Sequence, residues 1–370
     1  MTGAARSHHL NAARMMLMLL GIPYHAALLF QNEIPWEASA GTVSPVARYI
    51  VAIVHIFRMP AFFLLSGYLA AVVLAKGDAT GWLKRRYLAL GIPLIFALIL
   101  LNPLQIVVPE LLDGEPLRDP FQGQGVGHLW FLFALLGLSP LAIVAQPTLA
   151  RAAHIPASTL AIWSYAGVVV ALACAEAGRE QLSSANYPLR NTIVAICWGI
   201  MSGLPFFLLG MATMHRPDLG RRLTLRSPAA YAALIVLVFG YARVMPLKAD
   251  TMSAVIAGGI LAIPITTGII ALCSRRLHQR SARIDTICKS SFTVYLVHHP
   301  IVVILGTLTH DLPVAWYLHY ALICTITAML SFGIWYAARD VRYLNLAIGA
   351  VRPGRRRQPV LVATGRAPAA

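Results

Sequence analysis

The stretch Arg14-MMLMLLGIPY-His25 sets a basic residue at each end of an apolar helix. At 1.5 Å of rise per residue, the step from Arg14 to His25 is roughly 16 Å, about half of a bilayer's hydrocarbon core. With Arg14 at one membrane face, His25 lies near mid-membrane. An imidazole at that depth is costly to hold there without a use, which makes it a candidate functional residue. Gly21-Ile22-Pro23 precedes it and predicts a bend, because proline removes a backbone donor and frees carbonyls that protein or water must satisfy.

Outward from this helix the chain keeps the same character. Its 370 residues are 58% hydrophobic and only 12% charged, roughly half the charge of an ordinary soluble protein. Apolar runs of about 18 residues or more recur. They place ten spans near 14–31, 47–75, 87–109, 128–148, 158–177, 191–212, 229–246, 252–273, 290–308 and 314–337. The fold class is therefore all-α: a polytopic integral membrane protein. Residues 1–340 form one membrane domain that opens on a short polar lead with His8 and His9 at the surface. Residues 341–370 form a basic tail whose Arg-, Pro- and Gly-rich end predicts disorder.

The formal net charge is +16, which invites a nucleic-acid reading, but the placement of the charge opposes it. With the N-terminus in the cytoplasm, all the basic residues fall on cytoplasmic segments except Arg48, Arg58, Arg118, Arg179, Arg190, Arg243 and Lys248. That asymmetry is the positive-inside pattern, with both termini inside. The charge sets topology first and attracts anionic lipid or an anionic cytoplasmic ligand second. Acidic residues gather on the other side, Glu110, Asp113, Glu115 and Asp119 in one loop. Ala38-Ser39-Ala40 has the form of a signal-peptide cleavage site, but Gln31, Asn32, Glu33 and Glu37 separate it from the apolar run. The five cysteines offer neither a disulfide framework nor a metal spacing, and no metal is expected.

Polar residues inside the spans mark where chemistry could occur. Arg58 lies deep in the second span, followed by Pro60 and Gly67, which suggests an irregular helix lining a cavity. Lys84-Arg85-Arg86 opens the third span and reads either as a stop-transfer cluster or as a lip for an anionic, phosphate-bearing ligand. His128-Leu129-Trp130 opens the fourth at the outer mouth. Spans five to eight are rich in small residues, among them Gly199 and Gly203, as close helix packing requires. In the ninth, Ser291, Tyr295 and His298 stand at i, i+4 and i+7 and so share one helix face, with His299 pointing about 100° away. No carboxylate occupies mid-membrane, Glu176 at a helix end being the nearest. That lowers the standing of ion-coupled transport, which usually needs Asp or Glu on the ion pathway. His25 with arginines around it suits general-base activation of a hydroxyl and stabilisation of an oxyanion, the chemistry of acyl transfer. A saccharide or acyl-donor exporter, and a non-catalytic assembly factor, are the competing readings.

Several of these motifs occur together in one known family. Arg-x10-His, Phe57-Arg58-Met59-Pro60 with Phe62-Phe63-Leu64-Leu65-Ser66-Gly67-Tyr68, Lys84-Arg85-Arg86, His128-Leu129-Trp130-Phe131-Leu132 and Ser291-x3-Tyr295-Leu296-x-His298-His299-Pro300 stand in an order that resembles the acyltransferase 3 family. The chain looks most like its glucan-biosynthesis branch, whose members modify periplasmic glucans with succinyl groups. The resemblance implies a multi-pass enzyme of the bacterial inner membrane that moves an acyl group, of the acetyl or succinyl class, from cytoplasmic acyl-CoA to a hydroxyl of a periplasmic or cell-surface glycan. It implies His25 as catalytic base and Arg14 as its essential partner, with acyl-CoA as co-substrate and no metal. Lys84, Arg85 and Arg86 would lie near the donor phosphates. Ser291, Tyr295 and His298 would line the site, and Arg58, His128 and Trp130 match motif positions of the substrate region. The partners would be lipid, glycan and acyl-CoA, not nucleic acid. The chain departs from the family pattern at Asn11, where an acid is usual, and at Phe292, where a tyrosine is usual.

Overall fold

The computed structural model describes residues 3–33, 36–117, 126–151, 154–184, 186, 189–244, 251–277 and 281–350. Among them every regular element is helical, as a bilayer requires of a chain that must satisfy its backbone groups within each segment. The first passage is α1 (Gly3–Leu19) followed by α2 (Gly21–Leu28). Then come α3 (Pro45–Leu74), α4 (Ala79–Phe96), a π-helical segment (Ala97–Leu101) and α5 (Asn102–Asp113). A 3-10 turn (Gly127–Leu129) leads into α6 (Trp130–Arg151), α7 (Ala157–Ser184) and α8 (Arg190–His215). The chain ends in α9 (Pro217–Leu223), α10 (Pro228–Val244), α11 (Met252–Arg276), α12 (Ala282–Leu308), α13 (Trp316–Ala338) and the short α14 (Arg342–Ala347).

Among the described residues, eight helical segments are long and apolar enough to cross a membrane, and nine if α9 and α10, bent by 67°, make one span. The passage expected at 14–31 is shared between α1 and α2 and is not one of those eight by length and composition. Its break falls at Leu20, which keeps helical dihedrals. The Leu20 N–H donates to the Met16 carbonyl and the Tyr24 N–H to the Leu20 carbonyl. Pro23 sits in the first turn of α2, where a missing donor costs little.

The expected surface lead is instead part of α1, and His8 and His9 are buried in it. Helix α1 packs along α12 and α11, which puts His8 Nδ1 3.1 Å from Asp285 in the first turn of α12. At the other end of the chain, α14 folds back onto α4 and α13. Thr293 of α12 donates to the Ile348 carbonyl just beyond it, at 3.1 Å. The remainder of the tail, 351–370, lies outside the described residues.

The densest contact joins α3 and α8. A Cβ on Gly67 would collide with the Phe207 carbonyl, and one on Gly210 with the Leu64 carbonyl. The two backbones therefore touch, the arrangement small residues permit between helices in lipid. Gly199 and Gly203, expected as packing positions, face the rings of Trp130 and Phe63. Helix α3 divides the bundle. On one side α2, α5 and α12 gather the histidines, and on the other α7, α8 and α11 form a separate cleft.

Candidate active site

Four imidazoles meet in the middle of the bundle, delivered by three passages. His25 comes from α2, His128 from the 3-10 turn before α6, and His298 and His299 from α12; all four are buried. The His25 ring centre is 5.2 Å from that of His298 and 4.6 Å from that of His299. His128 stacks on His299 at 4.5 Å. Trp36 leaves the loop after α2 and lies over His25 at 5.9 Å, with its edge to His299. The loop folds inward because Ala40 N–H and Ser44 N–H donate back to the Leu29 and Phe30 carbonyls.

Carbonyl partners assign the protons on three of the rings. His298 Nδ1 donates to the Tyr295 carbonyl at 2.7 Å and His128 Nε2 to the Leu296 carbonyl at 3.3 Å. Their other nitrogens, Nε2 of His298 and Nδ1 of His128, are buried with no hydrogen-bond partner. His299 Nδ1 donates to Gln105 Oε1 at 2.7 Å, and the Gln105 amide N–H donates to Asn102 Oδ1 at the same distance. The π segment before α5 sets the register that aims Gln105 inward; such interruptions are frequent at functional sites. His25 Nδ1 is also buried and unpartnered. In the tautomer protonated at Nε2, the Nδ1 lone pair faces a hydroxyl entering the cluster.

Arg58 approaches the cluster from α3. Its guanidinium lies 4.5 Å over the Tyr24 ring, and the Tyr24 hydroxyl is 3.2 Å from His55 Nδ1. Among the described residues no carboxylate pairs with Arg58. A cation held by a ring face and hydrophobic walls is poised for a ligand or transition-state charge. Gly21 makes the approach possible: a Cβ there would lie 2.8 Å from His298 Nε2 and 3.2 Å from Arg58 Nη1.

Arg14 and the α4 arginines are elsewhere. They line a cavity of about 900 Å³ at the membrane face opposite Trp36 and Glu110, together with Ser66, Phe292 and Arg342. Arg86 donates to Ser139 Oγ at 2.7 Å, yet its Nη2 and the Nε of Arg14 are buried and unpartnered. Buried guanidinium nitrogens without acceptors are costly, and an anion in the cavity would satisfy them. Arg85 also lines it while donating to Asp78 at 2.8 Å. The Arg85 guanidinium, with the Gly81 N–H, holds the Asp78 carboxyl below the usual carboxylate range. Lys84, on the same turn, is exposed and does not line the cavity.

Between cavity and imidazoles lies an aromatic layer. Phe62 and Phe131 meet edge to face at 4.6 Å, and Phe131 reaches Tyr295 at 6.0 Å. The Tyr295 hydroxyl donates to the His128 carbonyl at 2.8 Å. Phe292, the position where a tyrosine is usual, packs against Tyr295 and the cavity wall. Asn11, where an acid is usual, is exposed. Ser291 is buried but donates to the Cys288 carbonyl of its own helix at 2.9 Å, and Trp130 faces the cleft beyond α3 instead of the imidazoles.

On the far side of the imidazoles a second pocket of about 490 Å³ is lined by Glu37, Gln105, Glu110, Asp113 and Glu115. Gln105 thus joins this acidic pocket to His299. The centre is therefore flanked by a basic cavity at one membrane face and an acidic pocket at the other. His299, Tyr24, Trp36 and Gln105 were not singled out as site residues from the sequence. The adjacent pair His298-His299 was the available signal for the first, and none marked Gln105. Among the described residues no group of His, Cys, Asp and Glu has the geometry of a metal site.

The acyltransferase domain model of the acyltransferase 3 family matches residues 7–336. The chain is 26% identical over 332 residues to "Glucans biosynthesis protein C" of Salmonella heidelberg (strain SL476), covering 82% of this chain and 84% of the relative. The protein of the same name from Salmonella gallinarum (strain 287/91 / NCTC 13346) is 26% identical over 327 residues, with the same coverage. No solved structure matches the chain. The family match spans nearly the whole helical bundle, from the start of α1 to the end of α13, and the chain belongs to the acyltransferase 3 family: it is a multi-pass membrane acyltransferase.

Proposed function

We propose that the protein transfers an acyl group from acyl-CoA, bound at the basic cavity, to a hydroxyl of a glycan that reaches the imidazoles from the opposite face. The observation that carries this reading is the buried, unpartnered Nδ1 of His25 set between a basic cavity and an acidic pocket. The phosphates of the donor would meet Arg14, Arg85 and Arg86, where guanidinium forks suit phosphate oxygens. The acceptor hydroxyl oxygen attacks the thioester carbonyl while His25 takes its proton, and the C–S bond breaks as that proton passes to the leaving thiolate. Arg58 is the nearby cation for the oxyanion formed between these events. The glycan acceptor is supported by the printed name of the relatives. The charge asymmetry supports placing the basic cavity in the cytoplasm of a bacterial inner membrane.

The test is transfer of radiolabel from acyl-CoA to an extracted periplasmic glycan in membranes carrying wild type, His25→Ala or Arg14→Ala at equal protein levels. The expected outcome is loss of label with either variant, at least about 100-fold for His25. Undiminished label in His25→Ala, or counter-flow of unmodified saccharide in both variants, would put an exporter ahead.

A further inference from the structure

Beyond α3, away from the imidazoles, a third hollow opens at the same membrane face as the acidic pocket. It lies between α3, α7, α8 and α11 and measures about 310 Å³. It is predominantly apolar, with aromatic walls: Trp130, Trp198, Phe63 and Tyr241 line it. The Trp130 and Trp198 rings stand 6.1 Å apart at 63°, two faces of a corner.

Two polar atoms in this corner have no partner. Glu176 is fully buried, and one of its carboxylate oxygens is held by Arg179 of its own helix, but Oε2 has no hydrogen-bond donor. The indole N–H of Trp198 is buried without an acceptor. Leaving a buried carboxylate oxygen and a buried N–H unsatisfied is costly, and a hydrocarbon chain from the bilayer would leave both so. A hydroxyl satisfies either: it donates to Oε2 and accepts from Nε1. A ligand with several hydroxyls and apolar C–H faces satisfies both and covers the rings as well. That is the chemistry of a sugar ring.

The hollow is one residue layer from the imidazoles. His55 lines it, its Nδ1 is 3.2 Å from the Tyr24 hydroxyl, and the Tyr24 ring is 4.9 Å from that of His25. We infer that this hollow is a saccharide subsite, in which Glu176 and Trp198 bind the hydroxyls of one sugar unit of a neutral glycan, a more distant unit of which is presented to His25. Its part in acyl transfer rests on the proposed function; its binding of sugar does not.

The experiment uses the full-length protein in lipid nanodiscs and a neutral β-linked glucose oligomer, cellotetraose, as probe. Binding is read by tryptophan fluorescence and calorimetry in a His25→Ala background, where no turnover intervenes. The expected result is saturable binding that Glu176→Gln or Trp198→Phe weakens by about tenfold, the loss of one charge-assisted or buried hydrogen bond. In otherwise wild-type protein the same substitutions raise the KM for glycan by a similar factor and leave that for acyl-CoA in place. Should Glu176→Gln not fold, Trp198→Phe, which keeps the ring and removes only the N–H, decides the matter. Cellotetraose affinity indifferent to both substitutions overturns the inference. So does a phospholipid retained in the hollow, by native mass spectrometry, that cellotetraose does not displace. Binding that depends on Glu176 in a protein that acylates no glycan would keep the subsite and discard the proposed function.

Discussion

Gln105 shows how a neutral side chain can govern a charged site. Its carbonyl accepts from His299, its amide donates to Asn102, and its flank faces the acidic pocket. Replacing it by leucine removes the acceptor and leaves a buried imidazole N–H unpaired, at a cost of about 1–3 kcal/mol. Gln105→Leu is expected to lower kcat by roughly tenfold or more, with the KM for acyl-CoA unchanged, while Gln105→Glu, which keeps the acceptor, restores most of the loss; steady-state kinetics of both variants checks this. The sequence reveals this residue only in part. His25 and His298 stand out because imidazoles are rare in apolar spans, and the i, i+4, i+7 pattern ties Tyr295 to His298. His299 is obscured by the same periodicity, since a helix buried on every side, as α12 is around it, makes a functional face of residues 100° apart. Gln105 depends on the register that the π segment creates, and an interruption of that kind has no counterpart in hydropathy.

At the scale of elements, the contact between α3 and α8 is the least tolerant of change. A methyl group on Gly210 meets the Leu64 carbonyl, a backbone atom that cannot rotate away. Gly210→Ala is expected to destabilise the bundle by about 1–3 kcal/mol, read as a fall in melting temperature in detergent by scanning fluorimetry. Helix α14 behaves differently. It closes over the basic cavity with Arg342 in its wall, and the Arg342 side chain is exposed. Arg342→Ala is expected to raise the KM for acyl-CoA by roughly tenfold, the worth of one charge-assisted contact, and to leave the melting temperature within about 1 °C, since exposed surface changes are worth little. The spans themselves were legible because twenty apolar residues can do little else. The helical lead of α1 and the return of α14 were not, because both are held by tertiary contacts, His8 with Asp285 and Thr293 with the Ile348 carbonyl, which local composition does not encode.

For the whole molecule, two hollows facing opposite sides of a membrane converge on one centre, and Phe62, Phe131 and Tyr295 stand between the basic cavity and the imidazoles. Rings packed edge to face put an apolar barrier between the two. A membrane that stores energy as a proton gradient could not tolerate a wetted passage lined with imidazoles, because protons hop readily along such a path. The three rings are therefore expected to serve as electrical insulation as well as to shape the binding site. Phe131→Ala, reconstituted in sealed liposomes with a pH-sensitive dye inside, is expected to dissipate an imposed gradient several-fold faster than wild type, and equal rates would deny the rings that duty. Each turnover must then admit the acyl chain through the insulation without wetting it. On the proposed function, a small acyl group is all that has to pass the rings, and the charged nucleotide of the donor is expected to stay behind at the arginines of the basic cavity.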